Sequence, residues 1–303
     1  MNILEFVAET SIIEDNKRKE FINGFKRGKD FYEWIEYFIV KNKLSKRTRL
    51  FLERFLSLEK RILRFLEESV ENIKEIKGDF HIHSNWSDGV SSIEELILEA
   101  KSLGYEYIVV TDHTLVGKSK YEMKLESFFK RNEEIEILSK KYEFEILKGI
   151  EVDINPDGSF DYPEEVLAEA DFVLGAIHFD YGEGEKNRWR MFKKLINNPF
   201  VHAIAHPVES IGIENWMKKG AEIVRIVEES GKILELNLTP HRLKENDLII
   251  KYTMDKDISF TLGTDSHYKK QLLFMIFSRI FLEKEGLCKE RILNFKKWNE
   301  LNF

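Results

Sequence analysis

Between positions 45 and 74 the apolar residues fall at Phe51, Phe55, Leu58, Ile62, Phe65, Leu66, Val70 and Ile73. This is the three-and-four spacing of one face of an amphipathic helix, with Ser45 placed to cap its start. Shorter helical patterns over 16–26 and 30–42, separated by Gly28, precede it, so residues 1–75 are predicted to form a small all-helical domain. Its aromatic residues Phe31, Tyr32, Trp34, Tyr37 and Phe38 read as packing surface, because large apolar groups at helical spacing usually mark a core. After Lys77-Gly78 the pattern changes to short apolar runs, each followed by a helical stretch. Strands are predicted over 76–82, 107–110, 144–150, 172–177, 202–205, 233–236 and 258–262. Helices are predicted over 93–103, 123–140, 164–169, 187–196, 213–230 and 247–254, with another after Lys270. Seven such units over 76–303 predict an α/β fold, a closed parallel barrel of βα units, and no Gly-rich phosphate or dinucleotide loop follows any strand to suggest an open nucleotide-binding sheet.

Composition narrows the class. With 43% hydrophobic residues and only 5 prolines the chain can bury a full core, which excludes linker-dominated or collagenous architectures. The opening residues carry acids where a signal peptide carries bases, and no apolar run approaches the ~18 residues that span a bilayer. The lone Cys288 has no internal disulfide partner. A cytoplasmic protein without membrane contact is expected. Residues 1–77 hold 17 Lys/Arg against 14 Asp/Glu, whereas the remainder holds 30 against 40. A pI near 5.8 argues against broad phosphate neutralisation by the whole surface. One basic patch stands out, Lys41, Lys43, Lys46, Arg47 and Arg49; it reads as a solvated loop and helix start or, if nucleic acid is a ligand, as a surface that steers the strand.

Parallel α/β architectures place their active sites at the carboxyl ends of the strands. Six of the seven predicted strands end in metal-capable side chains: His81 and His83, then His113, Glu151, His178, His206, and finally Asp265 with His267. The sixth ends in the neutral Asn237, and Asp88 lies in the loop after the first. Residues two apart on a strand share a face, so His81 and His83 are able to point at one ion. Of the protein's 8 histidines, only His202 and His241 fall outside these ends. Imidazoles and carboxylates gathered at one place need compensating positive charge, which divalent cations supply.

The runs Gly78-Asp79-Phe80-His81-Ile82-His83, Trp86-Ser87-Asp88-Gly89, Thr111-Asp112-His113, Gly149-Ile150-Glu151, His206-Pro207 and Thr264-Asp265-Ser266-His267 resemble the polymerase and histidinol phosphatase (PHP) superfamily. The resemblance covers residues 76–303. It is closest to the PHP domain of bacterial and archaeal family X DNA polymerases, where a later stretch is matched here by Asn237, Pro240, Arg242, Leu243 and Asp247; no polymerase module accompanies it. It implies a distorted TIM-like barrel of seven βα units after the helical domain, with up to three divalent metal ions, zinc, manganese or iron. One ion is expected on His81, His83, Glu151 and Asp265, a second on Glu151, His178 and His206, and a third on Asp88, His113 and His267. Where the polymerase domains often carry a Gly-Arg pair after His-Pro, this chain has Val208-Glu209-Ser210.

Such a site lowers the pKa of a bound water and needs no side-chain nucleophile; Glu151, Asp265 and His267 are the catalytic candidates. Mixed imidazole and carboxylate donors suit zinc, manganese or iron better than magnesium or calcium. Three divalent ions against three carboxylates leave excess positive charge, which draws an anionic phosphate ester. Asp79 and Asp112 are expected to orient imidazoles or to cap turns. Lys186, Arg188, Arg190, His241 and Arg242 are candidates to touch substrate, and His202 reads as structural. The expected activity is a metal-dependent phosphoesterase. Its substrate is either a single-stranded nucleic-acid end, trimmed by a 3′-5′ exonuclease, or a small phosphorylated metabolite. A catalytically idle scaffold is the contrasting class. The Phe- and Leu-rich helical face suits packing on its own barrel or on a second subunit.

Overall fold

Capping and apolar spacing explain the helices that open the chain. The structure, a computed structural model, describes residues 3–25, 30–57, 75–114, 123–284 and 286–301. Helices α1 (Ile3–Thr10), α2 (Asp15–Gly24), α3 (Phe31–Lys41) and α4 (Lys46–Arg54) lie within them. The Asp30 carboxylate accepts from the Tyr32 and Glu33 amides at the start of α3, and the Ser45 hydroxyl accepts from Thr48 N at 3.0 Å at the start of α4. Helix α1 has no counterpart among the predicted elements, because eight residues are too few to establish a helical period. A 3-10 turn, Phe55–Ser57, follows α4, and the remainder of the long helix predicted to 74 falls mostly on residues outside the described ones. These helices pack on the segment Lys269–Phe277 near the end of the chain: the Phe6 ring meets those of Phe274 and Phe277 at 6.1 and 5.8 Å, and Gln271 Nε2 donates to the Thr10 carbonyl at 3.1 Å.

Seven parallel strands follow, β1 (Gly78–Ile82), β2 (Tyr107–Val110), β3 (Glu145–Asp153), β4 (Phe172–Ala176), β5 (Ala203–Ile204), β6 (Ile233–Asn237) and β7 (Phe260–Gly263), hydrogen-bonded in chain order. The ring nearly closes where the His83 N–H donates to the Ser266 carbonyl at 2.8 Å and Ile82 bridges Ser266. Helices α5 (Ile93–Leu103), α6 (Leu125–Tyr142), α7 (Glu164–Leu167), α8 (Gly184–Leu195), α9 (Pro207–Ile211), α10 (Ile213–Ser230) and α11 (Leu243–Thr253) connect the strands. The stretch after Lys270, predicted as a helix, is wound as a 3-10 helix over Lys269–Phe277. Among the described residues no helix is long and apolar enough to cross a membrane.

Strand alternation sorts the side chains. Tyr107, Val109, Leu147, Phe172, Leu174, Ala203 and Ala205 form one buried cluster inside the ring, while Ile108, Val110, Ile146, Val173 and Ile204 join the larger cluster packed against the helices. The same parity carries Glu151 and Asp153 inward above Leu147, and Glu235 inward above Ile233. Strand β1 is irregular between Asp79 and Ile82. Phe80 joins the interior cluster and Ile82 the outer one, so the irregularity lets His81 and His83 also face inward above Phe80. The interior is thus an aromatic floor, with Phe80 and Phe172 rings 5.2 Å apart, beneath a polar upper layer.

Candidate metal centre

The nine residues singled out at the strand ends and in the first loop meet in the upper layer. Glu151 stands at the middle: its Oε2 lies 3.1 Å from His113 Nδ1, 3.3 Å from His81 Nε2 and 3.5 Å from His83 Nε2, and its Oε1 lies 2.8 Å from His206 Nε2 and 3.5 Å from His178 Nε2. Asp265 Oδ1 lies 3.2 Å from His83 Nε2 and 3.8 Å from His81 Nε2. Asp88 approaches His267 Nε2 at 3.0 Å, His83 Nδ1 at 3.7 Å and His113 Nε2 at 3.9 Å. Three groups are close enough to share an ion: His83, Asp88, His113 and His267; His81, His83 and Asp265; and His113, Glu151 and His178. The grouping differs from the expected one in that His83 and His113 each belong to two groups, Glu151 falls with His113 and His178 only, and His206, which meets Glu151 and the His178 and His81 rings, is in none of them.

Two of these residues depend on unusual backbone. His206 and Asp265 have φ of 28° and 50°, the left-handed region that side chains other than glycine seldom occupy. His206 therefore reaches the cluster by a turn at its own position, not by continuing the alternation of β5. His202, read as structural, accepts from the Val173 amide at Nδ1, 2.9 Å away, and stacks on Phe172.

The outer ring nitrogens decide what the inner ones can do. His81 Nδ1 lies 2.7 Å from Glu235 Oε1 and His178 Nδ1 lies 2.8 Å from Asp153 Oδ2. His267 Nδ1 lies 2.9 Å from the Asp265 carbonyl. All three partners only accept, so each Nδ1 donates and each Nε2 is turned toward the carboxylates. A nitrogen lone pair facing a carboxylate oxygen is repulsive unless a proton or a metal ion lies between. Protons meet part of that need. Burial opposes charge on His178, but Asp153 and Glu151 raise its pKa to about 9; His81 and His267 are raised against the same opposition by their carboxylate neighbours. Burial dominates at His113, which falls to about 4. Burial opposes ionisation of Glu151, Asp265 and Asp88, yet the surrounding imidazoles hold all three below the usual carboxylate range, Glu151 and Asp265 far below it. Among the described residues, His83 Nδ1 and Asp88 Oδ1 are buried without a hydrogen bond. Converging donors, anionic oxygens and orphaned atoms fit divalent cations, and the donor types fit zinc, manganese or iron.

Glu235 and Asp153 were not among the sequence candidates. Glu235 also accepts from the His206 amide at 2.5 Å, and Asp153 from the His178 amide at 2.9 Å. Gly263 makes room for the first pair, since a Cβ there would lie 2.0 Å from Glu235 Oε1 and 2.6 Å from His81 Cβ. The available signal was a single acid at an inward position of an otherwise apolar strand. Asp79 and Asp112 orient no ring. Asp79 holds the backbone amides of His81 and Thr264, and burial raises its pKa to about 7. Asp112 ties down the loop after β1 through Ser84 and Ser87 and pairs with Arg131.

The candidates for substrate contact are used differently from expectation. Arg188 donates to the carbonyls of Ile177, Glu209, Ser210 and His178. Arg190, exposed on α8, pairs with Glu183 and donates to Asn187 Oδ1 at 2.9 Å. Arg242 bridges Glu209 and Asp265 Oδ2, so the acid standing where related chains carry Gly-Arg has a partner here. His241 Nδ1 is buried without a hydrogen bond among the described residues, and burial together with Arg242 and Arg54 lowers its pKa to about 3. Lys46 and Arg47 of the basic patch, with Leu50, Phe51 and Arg54, line a cavity of about 530 Å³ that also touches Asp88 and His267.

Comparison with known proteins agrees with this geometry. Residues 79–239 match the PHP domain family. The chain is similar to the DNA polymerase/3′-5′ exonuclease PolX of Bacillus subtilis, 34% identical over 208 residues, which is 66% of this chain; the match spans 36% of the length of that polymerase. It is also similar to a probable phosphatase of Acetivibrio thermocellus, 31% identical over 228 residues, covering 71% of this chain and 90% of the relative. Its fold resembles a histidinol phosphate phosphatase from Lactococcus lactis solved with zinc, L-histidinol and phosphate, with TM-score 0.54 and 21% identity over 70% of this chain and 94% of that one.

Proposed function

The chain belongs to the PHP family and is a metal-dependent hydrolase of phosphate esters; from that premise we propose that its substrate is the 3′ end of a single-stranded nucleic acid, shortened by phosphodiester hydrolysis. The observation that carries the substrate reading is an exposed aromatic pair at the rim of the metal centre. Phe179 and Tyr181 lie one and three residues after His178, their rings are 6.4 Å apart, and both are about half exposed. Aromatic faces beside a phosphate-cleaving site provide stacking platforms for bases. The similarity to an exonuclease-bearing polymerase supports the same reading.

The cluster residues His81, His83, Asp88, His113, Glu151, His178, His206, Asp265 and His267 would hold the ions, which supply Lewis acidity and a water of lowered pKa. The chain's own contribution is to fix the donors. Glu235 and Asp153 hold the Nδ1 protons of His81 and His178, so that each Nε2 faces inward. Arg242 occupies Asp265 Oδ2 and leaves Oδ1 toward His83. The aromatic floor of Phe80, Tyr107 and Phe172 packs beneath the site.

The test is to incubate the manganese-loaded protein with a 5′-labelled single-stranded oligonucleotide beside an Asp265→Ala control. The expected result is a ladder shortening from the 3′ end that is absent in the control. An intact strand, with phosphate released from a simple monoester by the same preparation, would replace this substrate with a small phosphorylated metabolite. That second reading is favoured by the 90% coverage of the probable phosphatase.

A further inference from the structure

We infer that helix α4 of the N-terminal helical region forms one wall of the active-site cleft and binds the phosphodiester backbone of a single strand beyond the bond being cut. This deepens the nucleic-acid reading and rests on it. Arg47 and Arg54 are seven residues apart, two helical turns or roughly 10 Å along the axis, and therefore share a face. Leu50 lies between them on that face and is 49% exposed. With Lys46 they line the same cavity as Asp88 and His267, two of the metal-ligand candidates. The wall is fixed to the site: Arg47 Nη2 donates to the Asp88 carbonyl at 3.0 Å, and the Arg54 guanidinium lies over the Phe51 ring, 5.1 Å from its centroid.

The cavity, about 530 Å³, exceeds the needs of a lone phosphate and falls in the range of sites that take nucleotide-sized ligands. The barrel's own arginines are committed elsewhere, Arg188 to backbone carbonyls and Arg242 to Glu209 and Asp265. Helix α4 brings Lys46, Arg47 and Arg54 to this edge as further positive charge. Three cations in a row beside the cluster suit a polyanion that lies along them. A chain of phosphates is such a polyanion, and Leu50 offers an apolar contact for the sugar or base between two of them.

The test uses the full chain loaded with manganese and a fluorescent single-stranded oligonucleotide made cleavage-resistant by phosphorothioate linkages. Anisotropy titrations between about 50 and 200 mM salt compare wild type with Lys46→Gln/Arg47→Gln/Arg54→Gln and with the charge-keeping Arg47→Lys/Arg54→Lys. The neutral variant is expected to bind at least about tenfold more weakly, with the slope of log K against log salt falling by about two, from ~0.7 per lost phosphate contact. The lysine variant is expected to keep most of the slope. Metal content and thermal midpoint, read on the same samples, identify a variant that has lost its fold, in which case the lysine variant against single neutral substitutions supplies the comparison. An unchanged slope in a folded neutral variant overturns the inference, as does a wild type that binds no strand. A strand bound through these cations but left uncut when unmodified keeps the inference and discards the exonuclease reading. Phosphate release from a monoester without any strand binding discards both while the hydrolase remains.

Discussion

The two ends of the barrel bury similar polar groups and treat them in opposite ways. At the amino end, Asn294 plugs the ring: its Nδ2 donates to the Gly78 and Leu262 carbonyls at 2.8 and 2.9 Å, its Oδ1 accepts from Leu262 N at 2.7 Å, and its carbonyl accepts from Lys77 N. Nearby, Arg291 donates to the Thr253, Met254 and Ile258 carbonyls. Asn294 and Arg291 match donor to acceptor, and the Tyr107 hydroxyl, buried without a hydrogen bond among the described residues, is the exception at this end. At the carboxyl end, inward nitrogens face carboxylate oxygens, His81 Nε2 lies 3.0 Å from His83 Nε2, and left-handed backbone is held at two of the converging residues. Those groups are complementary to a cation, not to one another. Buried polar atoms that satisfy each other build structure, and those that converge unsatisfied mark where a ligand belongs.

The sharpest way to break this comparison is at its centre. Glu151→Gln keeps the shape but removes the anion nearest five imidazoles, and turnover is expected to fall by ~10²–10³-fold or more, with metal content reduced and the fold retained. A variant with full metal content and wild-type turnover would sink the assignment. The counterpart at the other end is Asn294→Ala, which strands the Leu262 amide and two carbonyls and is expected to cost about 3 kcal/mol of stability. Denaturant titration measures that loss, and turnover per folded molecule is expected to stay near wild type. A large loss of turnover in folded Asn294→Ala would mean that the ends are coupled and the contrast is false. Between the extremes lie Glu235→Gln and Asp153→Asn, which leave the ligands in place but loosen their orientation. Each is expected to lower metal affinity about 10–100-fold, read by competition with a chelator, and a change below twofold would deny them a positioning role.

These pairs also mark where the sequence was legible. The βα rhythm was visible because strands buried on both faces read as short apolar runs, and helices α5 and α10 and strand β2 span the predicted residues. The nine converging residues stood out because histidines are rare elsewhere in the chain and end strand after strand. Glu235 was not visible, because its meaning comes from a ring 154 positions away that only barrel closure brings alongside. The partners of Arg188 were hidden for a related reason, since four carbonyls gather around it only when the chain folds. The cationic wall was half visible. Lys46 and Arg47 stood out in the basic patch and Arg54 did not, and their common place beside Asp88 comes from the fold, in which α1 packs on Lys269–Phe277.

His202 offers the finest test, because it is a histidine just before β5, four residues ahead of His206, whose environment is of the self-satisfied kind. Its Nδ1 accepts from the Val173 amide, so that nitrogen carries no proton in the folded protein, and the ring stacks on Phe172 at 5.7 Å. Burial, helped by Lys232, lowers its pKa to about 4, whereas an unfolded histidine titrates near ~6.5. A base whose folded pKa is depressed binds protons preferentially when unfolded. Its contribution is therefore intact above about pH 6.5 and is lost as the pH falls toward about 4. His202→Gln removes this titration, so the stability difference between wild type and variant is expected to shrink by at most about 3 kcal/mol across that window, with or without added manganese. His81 and His178 in the cluster behave in the opposite sense, since their raised pKa means that they must shed protons to take up metal. If wild type and His202→Gln instead lose stability in parallel from pH 7 to pH 4, His202 does not titrate as its contacts require. The division between a self-satisfied and a ligand-seeking end would then fail for its smallest member.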